Sequence, residues 1–274
     1  MSYNYHIKPR TDLFSLDLKE LYDFRELFFI FAWRDIKVRY KQTVIGILWV
    51  VFQPLVTMLI FTIFFGRLAR IPSGSLPYSL FVLTGLVFWN FFANSLTHAS
   101  LSLVENENII KKVYFPKIIL PLAAVVTTSV DLAINLAILF LYALYLGFTP
   151  SWQVLLIIPI GLIVIATAAS GLGLLLASVN VKYRDVRYIL PFFIQIMLFL
   201  SPVIYGSDLI DPSQRIFMAI NPTSGVIETV RRLFTQSNFT FSPDFAVSAL
   251  VAVVIFLIGL AYFRHTERFF ADIV

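Results

Sequence analysis

The sequence has no cysteine and only three histidines, and charged residues make up 14% of its 274 positions. Without cysteine, the chain can build neither a disulfide framework nor a thiolate metal site. It also lacks a G-x-x-x-x-G-K-[ST] phosphate loop, an H-E-x-x-H metal motif, a G-x-S-x-G elbow and the paired Asp-x-Asp carboxylates of many sugar-nucleotide transferases. We therefore expect no catalysis by this chain alone, and no metal or cofactor bound within it.

Apolar residues, in contrast, are abundant. They make up 59% of the chain, and 28 positions are phenylalanine. Such a composition lies far outside the range of soluble domains and predicts an all-α polytopic membrane protein. The net charge of +5 could suit nucleic acid, but the cations cluster beside apolar runs, where cytoplasmic retention and anionic lipid explain them better.

The N-terminal part divides into three segments. Residues 1 to 19 are a polar lead without the apolar core of a signal peptide, so we expect the first span to direct insertion. Residues 20 to 43 are predicted to form an amphipathic interface helix, because apolar side chains recur at helical spacing. They are Leu21, Phe24, Phe28, Phe31 and Val38. Residues 44 to 65 contain no charge and are long enough to cross the membrane.

Five more spans are predicted, at residues 78–101, 118–146, 152–179, 189–205 and 245–263. The segment 206–244 is too polar to cross and is expected to form short outer-face helices that dip into the interface. Residues 264–274 form a tail. Most of the 21 Lys and Arg residues fall on the segments that are cytoplasmic if both termini lie inside. The positive-inside rule therefore favours six spans with both termini in the cytoplasm.

Polar residues inside the predicted spans have two interpretations each. Asn90, Asn94 and His98 share one helix face, which indicates hydrogen bonds between helices or the lining of a polar pathway. Asp131 and Asn135 share a face of the third span. A carboxylate at that depth needs a partner on a neighbouring helix, unless it is itself a functional ionisable group.

Two helix faces have recognisable side-chain patterns. A stripe of small residues in the fourth span predicts close helix packing. It consists of Ala166, Ser170, Gly173 and Ala177. In the fifth span, Phe192, Gln195 and Phe199 share a face that combines aromatic rings with an amide. Such a surface suits sugar rings, and it also suits ordinary packing.

Several sequence strings occur in an order that resembles a known family. They are RDIKVRYKQTVIGILWVVFQP (34–54), ENENIIKKVYFPKIILP (105–121), NVKYRDVRYILPF (180–192), SPVIY (201–205), NPTSGVIETVRR (221–232) and the ending ERFFADIV (267–274). From about residue 20 to its end, the chain resembles the polysaccharide-exporting branch of the ABC-2 type transporter permeases. That branch includes exporters of O-antigen, capsule and teichoic acid.

The resemblance implies a half-transporter in the bacterial cytoplasmic membrane, which pairs with a second copy and with two copies of a separate ATPase that binds ATP and Mg²⁺. Residues implied to contact the polymer in the channel are Trp49, Phe52, Gln53, Phe88, Trp89, Phe192, Gln195, Phe199 and Tyr205. A coupling helix seated in the ATPase would include Asn106, Glu107, Asn108, Lys111, Lys112 and Tyr114. The lipid pyrophosphate of the cargo would meet Arg34, Lys37, Arg39 and Arg184. The outer gate would include Asn221, Pro222, Glu228 and Arg231.

The resemblance puts O-antigen first among the polymers, with capsule or teichoic acid as the alternative, because no residue can be tied to one of them. Export of a drug or small lipid is disfavoured by the aromatic spans. An ion-coupled secondary transporter that works through Asp131 and His98 would need no ATPase. A membrane-embedded glycosyltransferase is disfavoured by the missing carboxylate pair.

Overall fold

The computed structural model describes residues 18–41, 44–211, 218–235 and 243–267, together with residue 270. The predicted N-terminal lead, parts of the outer segment and the last residues of the tail lie outside these ranges. The helices are α1 (Leu18–Asp23), α2 (Arg25–Tyr40), α3 (Val44–Phe61), α4 (Tyr78–Glu105), α5 (Glu107–Ile110), α6 (Ile119–Tyr145), α7 (Val154–Lys182), α8 (Val186–Leu200), α9 (Ser224–Leu233) and α10 (Pro243–Glu267). A π-helix, Thr62–Leu68, continues α3, and a short 3-10 helix, Ser207–Leu209, follows α8.

Five helices among the described residues are long and apolar enough to cross a membrane. They are Leu48–Leu68, Tyr78–Glu105, Ile119–Tyr145, Val154–Lys182 and Pro243–Glu267. The predicted all-α polytopic architecture is therefore confirmed. The predicted fifth span corresponds to α8, which has 15 residues and a length of only about 22 Å. A sixth crossing at this position stays a prediction.

The core is built around α4, which packs mainly against α6 and α7, while α10 lies against the other side of α7. In the most apolar stretch of α4, 83% of the residues are buried, compared with 11% in the span that contains α3. Much of the surface of α3 is thus left for lipid or for another chain.

Small residues permit the closest helix contacts. A Cβ atom placed on Gly173 would lie 2.5 Å from the Cβ of Ala99, so α7 and α4 can approach only because that atom is missing. The predicted small-residue stripe on α7 therefore faces α4, as expected for close packing. On the opposite side of α7, a Cβ on Gly259 would overlap the carbonyl oxygen of Gly171. This second glycine contact between α7 and α10 was not predicted.

Two parts of the N-terminal half differ from the sequence prediction. The interface helix is interrupted at Phe24, which separates α1 from α2, and Val38 of its predicted apolar stripe is 74% exposed. The connector after α4 contains only one helical turn, α5, before the chain turns at Lys111 and Lys112. Pro116 follows shortly after, and a proline favours extended backbone in the residue before it, which limits the length of this helix.

A second, smaller apolar cluster lies beside this connector. Phe31 of α2 packs on Phe115, with 5.5 Å between the ring centroids, and Ile110 of α5 joins the same cluster. Phe263 and Phe270, at the C-terminal end, complete it. This cluster therefore connects α2, α5 and the end of α10.

Candidate functional site

Polar side chains converge at two places, one near the start of α4 and one toward its end. The first is centred on Arg231 of α9, which is 4% exposed. Its guanidinium donates to the carbonyl oxygens of Phe81 (2.9 and 3.1 Å), Pro202 (2.6 Å) and Val203 (3.0 Å). It also lies over the Phe81 ring, 3.4 Å from the centroid. One side chain thus joins α9, α4 and the segment after α8. We call this group the Arg231 network.

Glu228 supplies the counter-charge of the Arg231 network. Its Oε1 accepts a hydrogen bond from Arg231 at 3.2 Å and another from the backbone N–H of Ser207 at 3.3 Å. Burial lowers the pKa of Arg231 to about 10, while Glu228 acts in the opposite direction. Arg231 therefore keeps its charge at neutral pH.

The chain after α8 is irregular, and side chains satisfy its polar groups. Asn221 Nδ2 donates to Ser201 Oγ at 2.6 Å, and Tyr78 donates its hydroxyl hydrogen to the carbonyl of Ile204 at 2.8 Å. Tyr205 donates to the carbonyl of Phe199 at 2.8 Å. Such satisfaction is required where non-helical backbone lies at membrane depth.

Three of the four predicted outer-gate residues take part in this arrangement, namely Asn221, Glu228 and Arg231, and Pro222 lies buried beside them. The strings SPVIY and NPTSGVIETVRR, which are 15 residues apart in the sequence, are thus in direct contact. The role of these residues as a gate stays a prediction.

The second polar site is centred on Asp131 of α6, which is 7% exposed. Arg39 donates to one carboxylate oxygen of Asp131, and the hydroxyl of Tyr40 donates to the other. The second terminal nitrogen of Arg39 lies 2.6 Å from Nε2 of His98 on α4. We call these four residues the Asp131 cluster. Burial, reinforced by the bond to Asp131, raises the pKa of the Tyr40 phenol, so this group remains a donor.

The structure shows a partner for Asp131, as the structural interpretation expects, and a functional role of the carboxylate stays a prediction. The carboxylate is paired, and its partner belongs to the interface helix rather than to another span. Asn135, one turn further along α6, is buried and its Oδ1 has no hydrogen-bond partner. Of the polar face predicted on α4, His98 joins the cluster, whereas Asn94 is exposed.

The residues predicted to receive the lipid pyrophosphate do not form a single group. Arg34 pairs with Asp35 at 2.7 Å, and Lys37 lies over the ring of Trp33. Arg39 points to Asp131, and Arg184 lies on the separate loop between α7 and α8. A cavity of about 480 Å³ lies between α2, α4 and α6. Its lining includes Arg34, Asp35, Arg39, His98, Glu105 and Thr127.

The predicted coupling residues surround α5. Asn106 is buried and donates to the carbonyl of Ser102, whereas Lys112 and Tyr114 are exposed. Lys111 donates to Glu107 at 2.6 Å, and this hydrogen bond lowers the pKa of the Glu107 carboxyl. Asn108 is exposed on the same turn. This turn therefore presents charge and an aromatic ring at the surface, above a base made of Ile110 and Phe115.

The predicted channel residues fall into two groups. Those on α3 and α8 are exposed, namely Trp49, Phe52, Gln53, Phe192, Gln195 and Phe199. Phe88 is fully buried inside the single chain, and Trp89 is 3% exposed. Trp89 and Tyr205 line a largely apolar cavity of about 660 Å³, together with Phe193 and Met197. Their contact with a polymer stays a prediction.

Sequence reasoning missed Tyr40 as a partner of Asp131, and it assigned Arg39 to cargo instead. It also missed a contact at the C-terminal end, where Glu267 accepts from the backbone N–H of Lys117 at 3.2 Å and from Arg264 at 2.9 Å. The spacing of Arg264 and Glu267, three positions apart on one helix, is a signal that could have indicated their pairing.

Comparison with known proteins agrees with this architecture. The family model of the ABC-2 type transporter matches residues 26–235. The O-antigen export system permease protein RfbA of Klebsiella pneumoniae is 28% identical over 91% of this chain and 95% of its own length. A protein of the same name from Myxococcus xanthus is 27% identical over 93% and 98%. The polysialic acid transport protein KpsM of Escherichia coli is 22% identical over 86% and 91%. The chain belongs to the ABC-2 type transporter family.

Proposed function

We propose that this chain is the transmembrane permease subunit of an ATP-driven exporter, which moves a lipid-linked polysaccharide across the bacterial cytoplasmic membrane, with O-antigen as the first choice. The observation that carries the proposal is the match to permeases named for O-antigen export over more than 90% of both lengths. The match to a polysialic acid transport protein supports the polysaccharide class more broadly than any single polymer. Capsule and teichoic acid thus remain the alternative cargoes.

We infer that two copies of this chain assemble with two copies of a separate ATPase, with both termini of the chain in the cytoplasm. Exposed apolar faces on α3 and α8 support a second copy. They include Leu48, Trp49, Phe52, Tyr188, Ile189, Phe192 and Phe199, all more than half exposed. A surface of this kind can face lipid, but its aromatic and amide members suit a polysaccharide passing between two copies.

The surface around α5 is the proposed seat of the ATPase. Lys111, Lys112 and Tyr114 are exposed, and the cluster beneath them connects α5 with α2 through Phe31 and Phe115. A displacement of α5 can therefore be transmitted to the interface helix α2 through the packed rings of Phe31 and Phe115. ATP and Mg²⁺ would be bound by the partner, since this chain has no phosphate loop.

The first experiment is to purify the full chain mildly from its native host and to identify what accompanies it. We expect a soluble ATPase in a stoichiometric amount, whose hydrolysis responds to lipid-linked glycan. A chain that purifies without an ATPase and still moves an ion or solute in vesicles would contradict the proposal. That outcome would favour the ion-coupled alternative.

Charge reversal tests the coupling surface. Lys111→Glu with Lys112→Glu is expected to abolish export while the chain still inserts, because two cations at a protein contact would become anions. The matched control is Arg67→Glu with Arg70→Glu, an equal charge change at the end of the π-helix that continues α3 and just after it, which should leave export unchanged. Normal export by the Lys111 and Lys112 variant would remove the coupling assignment.

The channel assignment has its own test. Trp49→Ala with Phe199→Ala is expected to slow polymer movement, because two rings that could stack on sugars are lost. Leu141→Ala with Leu155→Ala is the control, since both side chains are apolar and exposed on α6 and α7. Equal export rates in the two double variants would contradict a stacking channel between α3 and α8.

A further inference from the structure

The Asp131 cluster has no part in the function described so far, although its charges lie deep in the half of the bundle that α2 contacts. Asp131 lies 12 residues after the start of α6, a distance of about 18 Å along the axis. His98 lies seven residues before the end of α4, or about 10 Å. Charges at such depth are costly unless they are paired.

In the Asp131 cluster, Arg39 and Tyr40 are the hydrogen-bond donors, and Asp131 and His98 are the acceptors. Each carboxylate oxygen of Asp131 accepts one hydrogen bond, from Arg39 and from Tyr40. A guanidinium can only donate, so its contact with Nε2 of His98 requires a lone pair on that nitrogen. The neutral imidazole thus serves as a second acceptor for Arg39. The last turn of α2 is in this way fastened to α6 and α4 together.

The interface helix α2 has a second attachment to the rest of the chain. Near its middle, Phe31 packs against Phe115, just beyond α5. Between this apolar contact and the Asp131 cluster lies the 480 Å³ cavity, which Val38 and Ala124 also line. The middle of α2 thus contacts the connector that the ATPase is proposed to move, and its end is held by polar groups on two spans.

The start of α3 depends on this end of α2. Val44, the first residue of α3, is only four positions after Tyr40. The span that contains α3 has few buried residues to hold it elsewhere. A displacement of the last turn of α2 would therefore shift the first turn of α3. Trp49 and Phe52, which begin the proposed channel face, lie one and two turns further along the same helix.

We propose that Asp131 is a positioning residue for transport: through Arg39, Tyr40 and His98 it holds the end of α2, and thereby sets the position of the start of α3. The part of this inference that concerns transport rests on the proposed function. Release of the cluster is expected to leave ATP hydrolysis active but to separate it from polymer movement, because α2 would slide on α6 instead of carrying α3.

The absence of cysteine gives a clean reporter for the test. Leu48→Cys introduces one thiol into the first half of α3, and its reaction with a water-soluble maleimide is followed in membranes that contain the full chain. Asp131→Asn, which removes the charge but keeps the shape, is expected to raise the labelling rate about tenfold, because the released start of α3 would leave its place among the lipids for water more often. The amount of polymer exported per ATP should fall by a similar factor in the complex with the ATPase.

Three companion variants separate positioning from a general loss of structure. Lys41→Gln removes an exposed cation next to Tyr40 and should change neither readout. Asp131→Glu keeps the carboxylate and should restore labelling to within about twofold of the parent, because the charged hydrogen bonds can form again. If Asp131→Asn fails to insert, Arg39→Gln with Tyr40→Phe opens the cluster from the side of α2 and is expected to give the same increase in labelling.

Two results would overturn the inference. One is an unchanged labelling rate in a well-inserted variant in which the cluster has been broken. The other is faster labelling with unchanged export per ATP, which would make the cluster a purely structural contact. If no ATPase accompanies the chain, the proposed function fails, but labelling of the thiol introduced by Leu48→Cys still decides whether Asp131 holds α3.

Discussion

Replacement of Arg231 by alanine is expected to destabilise the part of the protein around α9 strongly. The change removes four hydrogen bonds to the backbone carbonyls of Phe81, Pro202 and Val203, and leaves Glu228 partly buried without its counter-charge. Hydrogen bonds to a charged group contribute about 1.5–3 kcal/mol each, and loss of one member of a buried ion pair costs about 3–5 kcal/mol. Because these contributions overlap, we expect a loss of about 3–5 kcal/mol in total.

The assay is thermal unfolding of the purified chain in detergent, with limited proteolysis of the segment between α8 and α10 as a local readout. A loss of this size corresponds to a melting temperature lower by on the order of 10 °C. Arg232→Ala is the matched control, because Arg232 is adjacent and partly exposed and lies 3.9 Å from Asp244. A surface ion pair contributes about 0–1 kcal/mol, so that variant should melt almost normally. Equal melting temperatures for the two variants would refute the argument.

Two further predictions concern helix packing. Gly259→Val is expected to lower the yield of folded protein, because the new side chain would overlap the backbone of Gly171. The yield is measured by size-exclusion chromatography in detergent. A normal yield would mean that α7 and α10 can separate without cost. Phe31→Ala should lower the free energy of unfolding, measured by thermal unfolding, by about 3–5 kcal/mol, because a buried ring is lost. Phe29→Ala, at a 65% exposed position of the same helix, should change the free energy of unfolding little. Similar losses in the two variants would contradict the packing of α2 on the connector.

Helix periodicity predicted the elements that bury one apolar face. In α9, Val226, Ile227 and Val230 are each fully buried, while Glu228 turns toward the chain after α8. The long spans could be predicted equally well, because about 20 apolar residues in succession have few other stable arrangements. These features depend on side chains that are near one another in the sequence.

Apart from the local pair of Arg264 and Glu267, the features that sequence reasoning did not find depend on distant partners or on the backbone. Arg39 and Asp131 are 92 positions apart, and nothing local distinguishes Arg39 from its neighbouring cations. The acceptors of Arg231 are mainly backbone carbonyls, which every residue possesses. Hydropathy also could not show that α8 ends at Leu200, since the following residues are still mostly apolar. The end of this helix is determined by Ser201 and Pro202, because proline disfavours helical backbone in the residue before it.

The two polar sites share one structural element, and this has a consequence for how the chain can move. Phe81 and His98 both belong to α4 and are 17 positions apart, which corresponds to about 26 Å along the helix. Because α4 is also the most enclosed of the long helices that the structure describes, it connects the Arg231 network with the Asp131 cluster as a fixed support. The exposed helices α3 and α8 have few internal contacts, and elements that move in function are drawn from such regions. If the proposed channel lies between α3 and α8, its width can change while the packing of α4, α6 and α7 stays intact.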